Sequence, residues 1–457
     1  MTATTASTSA AARLSSATIR GYALGSVGTG GFATLPGLVL AYYLTDTLGV
    51  AAAAATVVVF LPKVLDVVLN PLIGSWSDAS AHRTGSRRRF LVVGAALLPI
   101  FFALTFAVPD GLGTAAGAVW VAVAFIASAM AFSFFQVPYI ALPAELTHDY
   151  HERSRLMAWR VAVLGVAILL FGAGGPELRE LGGGGRWGYL VMGVVAGIVL
   201  GLGMFAASRV APSRPASTAV VGGGVPFAAS LRVVRSSGPF RVLLGAFALQ
   251  ALATGTMLAG AQYVATYVLG DERSVSILFA ALVGPAVAVM PLWSKSVRAW
   301  GKRRAYLLAS TLFLAAAVAL LGLMTGGGWW VYAVVALAGV GYAGMQMLPM
   351  SMLPDVISDH ERSESGTARA GAFSGVWTAV ETVGLALGPA LVLAILAVTG
   401  FVSSTGDEDV VQSDTALDGI VLAFSVAPAI LTALSIVVLL RYRLAAEDAH
   451  AQNGNHR

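Results

Sequence analysis

The sequence predicts an all-α integral membrane protein: twelve transmembrane helices arranged as two related six-helix bundles. Three observations predict it. Of 457 residues, 57% are hydrophobic and only 11% are charged, where a soluble domain carries about 25% charged residues; the mean hydropathy is +0.80. The apolar residues gather into runs of the roughly 20 residues that a helix needs to cross ~30 Å of hydrocarbon. Distinctive short stretches also recur half a chain apart.

The spans follow in order. The first, 18–45, comes after the small polar stretch "MTATTASTSAAARLSSAT", which reads as a disordered tail (1–17) and not as a cleavable signal. The second, 50–76, opens on "GVAAAAATVVVF" and runs to "GSWSD". The third, 90–109, lies between a triple arginine and "PDGLG", and the fourth covers 114–146. Spans five and six are predicted at 156–174 and 186–208, on either side of "GGGGR". A polar connection, 211–238, then divides the chain, and its "FAASLRVVRS" suits a short interfacial helix. Spans seven to twelve fall at 239–269, 274–297, 304–324, 329–353, 369–400 and 416–441, leaving a tail at 444–457. The halves are therefore 18–210 and 239–443.

An even number of spans puts both termini on one side. Loops on that side hold Arg83, Arg87, Arg88, Arg89, Arg153, Arg155 and Arg209, then Lys295, Arg298, Lys302, Arg303, Arg304 and Arg362; those opposite hold only Arg179, Arg186 and Arg273. Excess Lys and Arg marks the cytoplasmic face, so a multi-pass protein of the cell membrane with both termini in the cytoplasm is expected. The net charge of +5 is thus an orientation signal and gives no reason to expect nucleic acid. Absence of cysteine excludes disulfides, thiol catalysis and thiolate metal sites.

The halves repeat. "HERS" occurs at His151–Ser154 and at His360–Ser363, and Arg160 and Arg369 share the same offset of 209 residues. "PYIALP" (138–143) matches "PMSMLP" (349–354), and "PLIGSWSD…RTGSRRR" has an echo in "PLWSKSVRAWGKRR". Parallel repeats of this kind mark transporters that rock one half against the other around a central site.

Polar residues inside the spans are the candidate site. Lys63, Asp66 and Asn70 stand at i, i+3 and i+7 of span two, which puts them on one helical face. A charge at a span centre costs about 2.5–3.5 kcal/mol on the insertion scale, so this face turns to the bundle interior or to a wet cavity. Lys63 either serves only to neutralise Asp66, or leaves it able to take a cation. Asp66, Asn70 and Ser133 together offer oxygens to sodium, whereas a proton needs a single carboxylate. Glu381 in span eleven is a second interior acid, read either as a helix–helix hydrogen bond or as a protonatable group. Arg160 is a candidate partner for Asp66 or for an anionic substrate group, Gln136 a neutral hydrogen-bonding contact, and Trp377 and Trp159 candidate stacking faces.

Four stretches carry a family resemblance: "LAYYLTDTLG", "DVVLNPLIGSWSD" with "RTGSRRRF", "VPYIALPAELTHDYHERSRL", and "LPDVISDHERS" followed by "ARAGAFSGVWTAVETVGLALGP". With them the chain resembles, over nearly its whole length, the major facilitator superfamily, and within it the glycoside–pentoside–hexuronide:cation symporters. The resemblance implies the major facilitator fold, no cofactor beyond a coupling proton or sodium ion, and a small-molecule substrate carried by a monomer. Asp66 and Ser133 fall on cation-site positions, and Asn70 stands where a second aspartate is expected. Gly30 and Gln136 replace two sugar-recognising aspartates, and Thr382 stands at a lysine position. Arg160 and Lys63 match basic positions. The lost carboxylates point to a proton, or no coupling ion, over sodium, and to a substrate that is either a glycoside by family or something less polar.

Asp78, Arg83, Arg87 and Arg88 resemble the superfamily's cytoplasmic gate, expected to latch the two halves. Glu145 and Arg153 form a matching cluster in the first half, and Asp355 and Arg362 in the second. "GTGGFA" (28–33) fits a dinucleotide fingerprint in letters only, since no strand precedes it. A membrane enzyme or sensor would need a catalytic constellation, and none is visible. Uptake and export of a drug-like or amphiphilic molecule remain alternatives on the same machinery.

Overall fold

Hydropathy marks the part of a helix that lies in hydrocarbon, and these helices run further. The computed structural model describes residues 14–84, 86–147, 150–211, 237–363, 370–404 and 410–442. They form twelve long helices, with no strand among the described residues: α1 Ser16–Thr47, α2 Ala52–Thr84, α3 Arg88–Thr105, α4 Thr114–Leu146, α5 Tyr150–Leu181, α6 Gly185–Val210, α7 Gly238–Val268, α8 Ser274–Trp300, α9 Lys302–Thr325, α10 Trp330–Ser363, α11 Ala370–Val398 and α12 Asp414–Leu440. Eleven are long and apolar enough to cross a membrane. The remaining one, α2, carries Lys63, Asp66 and Asn70; its 33 residues make about 50 Å of helix. It extends two turns past the predicted end, so Asp78 and Arg83 ride on a helix and not in a loop. Likewise α5 continues to Leu181, and Arg179, expected in a solvated loop, is a helical residue only 2% exposed. The tails, the "FAASLRVVRS" segment and Arg369 lie outside the described residues.

Helix starts follow ordinary capping chemistry. Ser15, Ser237 and Ser413 each accept the backbone N–H three residues on, satisfying a donor that the helix cannot. The starts of α1 and α7 and the ends of α6 and α12 mark one face of the bundle, the proximal end; the opposite face is the distal end.

The contacts obey a six-helix shift. In the first half α1 packs on α5 and α6, α3 on α4 and α6, and α2 on α4; in the second, α7 packs on α11 and α12, α9 on α10 and α12, and α8 on α10. Between halves α2 meets α11, and its shifted counterpart α8 meets α5, while α1 meets α7. The prolines of the matched stretches sit inside α4 (Pro138, Pro143) and α10 (Pro349, Pro354). The two "HERS" copies mark the same junction but fall on opposite sides of the helix break, opening α5 and closing α10.

A further repeat appears at the distal ends of α1 and α7. Each helix widens into a π-turn, Tyr43–Thr47 and Val264–Val268. Leu48 N–H then donates to Tyr43 O at 3.1 Å, and Leu269 N–H to Val264 O at 2.9 Å. A glycine with positive φ follows in both, Gly49 (68°) and Gly270 (71°). A side chain in that left-handed region costs roughly 1–2 kcal/mol. Gly270→Ala is therefore expected to destabilise the detergent-purified protein by ~1–2 kcal/mol in thermal unfolding. Gly284→Ala, inside α8 with nothing within 4 Å of the added carbon, is expected to be neutral or to stabilise by up to ~1 kcal/mol.

Candidate functional site

α4 supplies a ladder of polar groups facing its neighbours. Ser133, Gln136 and Tyr139 are three residues apart, so they climb one face over about 9 Å. At the first rung Ser133 Oγ donates to Asp66 Oδ1 at 3.4 Å. Asp66 Oδ2 lies 3.8 Å from Lys63 Nζ, and the two side chains remain 13% and 24% exposed. Lys63 Nζ also lies 5.9 Å from the Phe32 ring centroid. One turn along α2, Asn70 Oδ1 is buried without a hydrogen-bond partner. At the second rung Thr29 Oγ1 donates to Gln136 Oε1 at 2.8 Å, tying α1 to α4. At the third, Tyr139 Oη donates to Tyr22 O at 2.8 Å, and the Arg160 guanidinium sits 5.6 Å from the Tyr139 ring centroid.

The structure thus brings Lys63, Asp66 and Ser133 together, with Asn70 adjacent. It does not join Arg160 to Asp66. Among the described residues Arg160 has no ion pair, and its buried Nε has no partner. Glu381 likewise has no described hydrogen bond or ion pair, and lies within electrostatic range of Tyr342 on α10.

Two expected substrate contacts, Gly30 and Trp377, are corrected by packing. A Cβ on Gly30 would meet Ala167 Cβ at 2.9 Å and Leu164 O at 3.1 Å, so this glycine lets α1 approach α5 and opens on no cavity. Close packing is also what accounts for "GTGGFA". Trp377 is 1% exposed and stacks on Phe247 of α7 with centroids 4.3 Å apart, which makes it core of the second half. Thr382 is exposed, but its Oγ1 donates to Thr378 O of its own helix at 2.9 Å. Trp159 is half-exposed.

Of the expected gate residues, the structure describes contacts within each half. Arg87 pairs with Glu145 of its own half. Its counterpart Lys302, at the start of α9, pairs with Asp355 at 2.5 Å and donates to Ser351 O at 2.8 Å. These pairs tie α3 to α4 and α9 to α10 within each bundle. Arg83 and Arg88 are exposed. The side chains of Asp78, Arg153 and Arg362 lie outside the described residues.

A set of hydrogen bonds and an ion pair join the halves at the distal end, and sequence reasoning missed all of them. Equivalent positions meet there: Tyr42 and Tyr263, both 221 residues apart in sequence like Gly49 and Gly270, contact edge to face at 5.3 Å. Tyr267 Oη donates to Asp46. Thr45 Oγ1 and Tyr263 Oη are 2.7 Å apart. Ser404 N–H donates to Thr45 O at 3.0 Å, and its Oγ to Asp46 O at 2.8 Å. Buried Arg179 donates to Tyr189 Oη at 3.0 Å and pairs with Glu180 at 2.7 Å and with Glu272 of the other half at 2.5 Å. Tyr42 Oη donates to Glu272 at 3.2 Å. The available signal was the "YVLG" echo of "TDTLG" and a lone basic–acidic pair, Arg179–Glu180, on the side otherwise poor in basic residues.

The comparisons with known proteins agree with this architecture. The family model described as MFS/sugar transport protein matches residues 21–446. The chain belongs to that family. Among relatives of this major facilitator chain, the putative glycoside/cation symporter YagG of Escherichia coli (strain K12) is 27% identical, over 93% of this chain and 91% of the relative. The glucuronide carrier protein homolog of the same organism is 25% identical, over 94% and 93%. Sodium-dependent lysophosphatidylcholine symporter 1 of Mus musculus is 26% identical, over 71% and 66%. The nucleoside transporter NupG shares the fold, with a TM-score of 0.64 and 12% identity over 94% of this chain and 98% of that one. This member of the MFS/sugar transport family is a multi-pass membrane protein and a secondary transporter, not an enzyme.

Two predictions follow from the distal junction. Burial raises the Glu272 carboxyl above the ordinary value of about 4.3; Arg179 opposes the shift, and Glu180, sharing the same guanidinium, adds to it. A group that binds its proton more tightly in the closed arrangement than when exposed favours closure at low pH and loses that contribution as pH rises through the shifted value. Spin-label distances across the distal end are expected to lengthen with rising pH, and Glu272→Gln to abolish that dependence. Arg179→Met leaves two partly exposed acids without their cation, so the same distances are expected to shift towards the open population, most strongly at pH values where both acids are ionised.

Proposed function

We propose that this transporter moves a glycoside-like organic solute across the cell membrane by alternating access, coupled to a proton at Asp66. The observation that carries the reading is Asp66 held between Lys63 at 3.8 Å and Ser133 at 3.4 Å, half-buried on an otherwise apolar helix. A carboxylate with a mobile ammonium for partner has two ways to be neutral at bilayer depth. Protonated, it releases Lys63 to the cavity; deprotonated, it recaptures it. Only one carboxylate is present, so the site carries little net charge to hold sodium against Lys63. One observation favours a sodium reading instead: the buried, unpartnered Asn70 Oδ1, which with Asp66 and Ser133 would give a cation oxygen ligands.

For substrate, Gln136 and Arg160 are the groups with unused hydrogen-bonding capacity on the α4 ladder. A guanidinium with no described carboxylate partner and a free Nε suits an anionic or polyhydroxyl solute, in keeping with the names of the glycoside/cation and glucuronide relatives. The Lys and Arg bias puts the proximal end in the cytoplasm. The distal hydrogen bonds would then close the outside, the pose of a carrier open inward. Glu381, on the helix that packs against α2, is assigned as a second protonatable group, and the carrier as a monomer.

Uptake into proteoliposomes is expected to follow an imposed proton gradient; a steep dependence on a sodium gradient instead would overturn the coupling assignment. Asp66→Asn is expected to abolish accumulation while sparing exchange, and full accumulation by that variant would leave Asp66 structural. Hydrogen bonds to charged groups contribute about 1.5–3 kcal/mol, so Arg160→Gln is expected to raise KM about 10- to 100-fold. A thermal-shift screen on purified protein identifies the class: stabilisation by glycosides or hexuronides, and not by lysophospholipids, is the expected result.

A further inference from the structure

α3 and α9 begin with matching trios, Arg87, Arg88, Arg89 and Lys302, Arg303, Arg304. The first member of each turns into its own bundle, towards Glu145 or Asp355. The second members differ. Arg303 Nη2 donates to Leu440 O at the end of α12, at 2.8 Å. Arg88 and Arg89 are exposed, and no described hydrogen bond or ion pair uses either guanidinium. Two cations at the membrane edge are left without a protein partner.

What lies next to them is apolar. α3 packs on α4 and α6, and its outer face continues from Arg89 through Val93, Leu97 and Ile100, which are 42%, 37% and 55% exposed. The spacings of four, eight and eleven residues form one helical stripe. A depression of about 660 Å³ opens at the top of that stripe, lined by Thr84, Ser86, Arg88, Arg89, Val92 and Val93. The 18 residues of α3 span about 27 Å, so the arginines stand at the boundary of the hydrocarbon while the stripe runs into it.

A soluble solute has no use for a lining that changes from guanidinium to valine along the membrane normal, and a free anion has no use for the valines. A phospholipid has that order of groups. We propose that this depression binds an anionic phospholipid of the leaflet at the proximal end, its phosphate between Arg88, Arg89 and the Ser86 hydroxyl, and an acyl chain along Val93, Leu97 and Ile100. The lipid sits beside Arg87 and Glu145, at the junction where α3 is tied to α4.

Native mass spectrometry of the full-length purified protein, titrated with phosphatidylglycerol or with phosphatidylcholine of the same chains, tests this. Phosphatidylglycerol is expected to bind preferentially. Each basic residue near an anionic surface contributes roughly a fivefold gain, so Arg88→Gln with Arg89→Gln is expected to weaken its binding about 25-fold. Val93→Asn is expected to weaken both lipids, and Arg304→Gln, at the matched position of the other half, to change neither. Inorganic phosphate is expected not to displace the lipid. Equal binding of the two lipids, wild-type binding by the double variant or by Val93→Asn, or full displacement by inorganic phosphate would each overturn the proposal; displacement would mark a free-anion site. If the double variant fails to fold, Arg89→Gln alone and Val93→Asn carry the test.

Discussion

Where α1 and α7 end, the two halves hold each other through their own equivalents: tyrosine against tyrosine, Asp46 against Tyr267, Thr45 against Tyr263. The rest of the architecture depends on this junction. Interhelical hydrogen bonds in membrane proteins contribute only about 0.6 kcal/mol each on average, so no single bond fixes the arrangement, but their sum sets which end of the molecule is shut. Because the meeting surfaces are pseudo-equivalent, a rotation about the axis between them breaks the set together. Arg87–Glu145 and Lys302–Asp355, by contrast, each join helices of one half.

The same scarcity of water explains where charge is found. A guanidinium such as Arg179 persists at 2% exposure because two carboxylates and a tyrosine surround it. Lys63 and Asp66 persist because they have each other, a hydroxyl and partial access to solvent. Arg160 has the Tyr139 ring and hydroxyl but no described carboxylate, and that imbalance is the chemical argument for an incoming solute. A fully satisfied cation such as Arg179 holds the structure together, whereas an unsatisfied one invites a ligand.

Much of the fold was legible in the letters. Membrane spans are long apolar runs, and their count, order and half-chain repetition follow from the cost of exposing backbone and charge to hydrocarbon. Asp66 and Lys63 stood out for the same reason. The boundaries were less legible, because α2, α5 and α10 continue past the hydrocarbon where hydropathy has nothing to report. Gly30 was legible only as a family substrate position and Trp377 only as a stacking face, but a glycine on which a Cβ would meet Ala167 at 2.9 Å and a tryptophan stacked on Phe247 are packing residues.

By itself the sequence determined an all-helical membrane protein with twelve spans in two repeated halves, and a stripe of polar groups on the second helix, since each of these is a local or periodic property of the chain. Tertiary structure alone decided which charges pair. Arg179 with Glu272, Tyr267 with Asp46 and Arg87 with Glu145 are separated by 93, 221 and 58 residues, and no period or spacing announces them. Partner choice depends on which helix faces meet across the bundle, and that geometry exists only once the two halves have folded and come together.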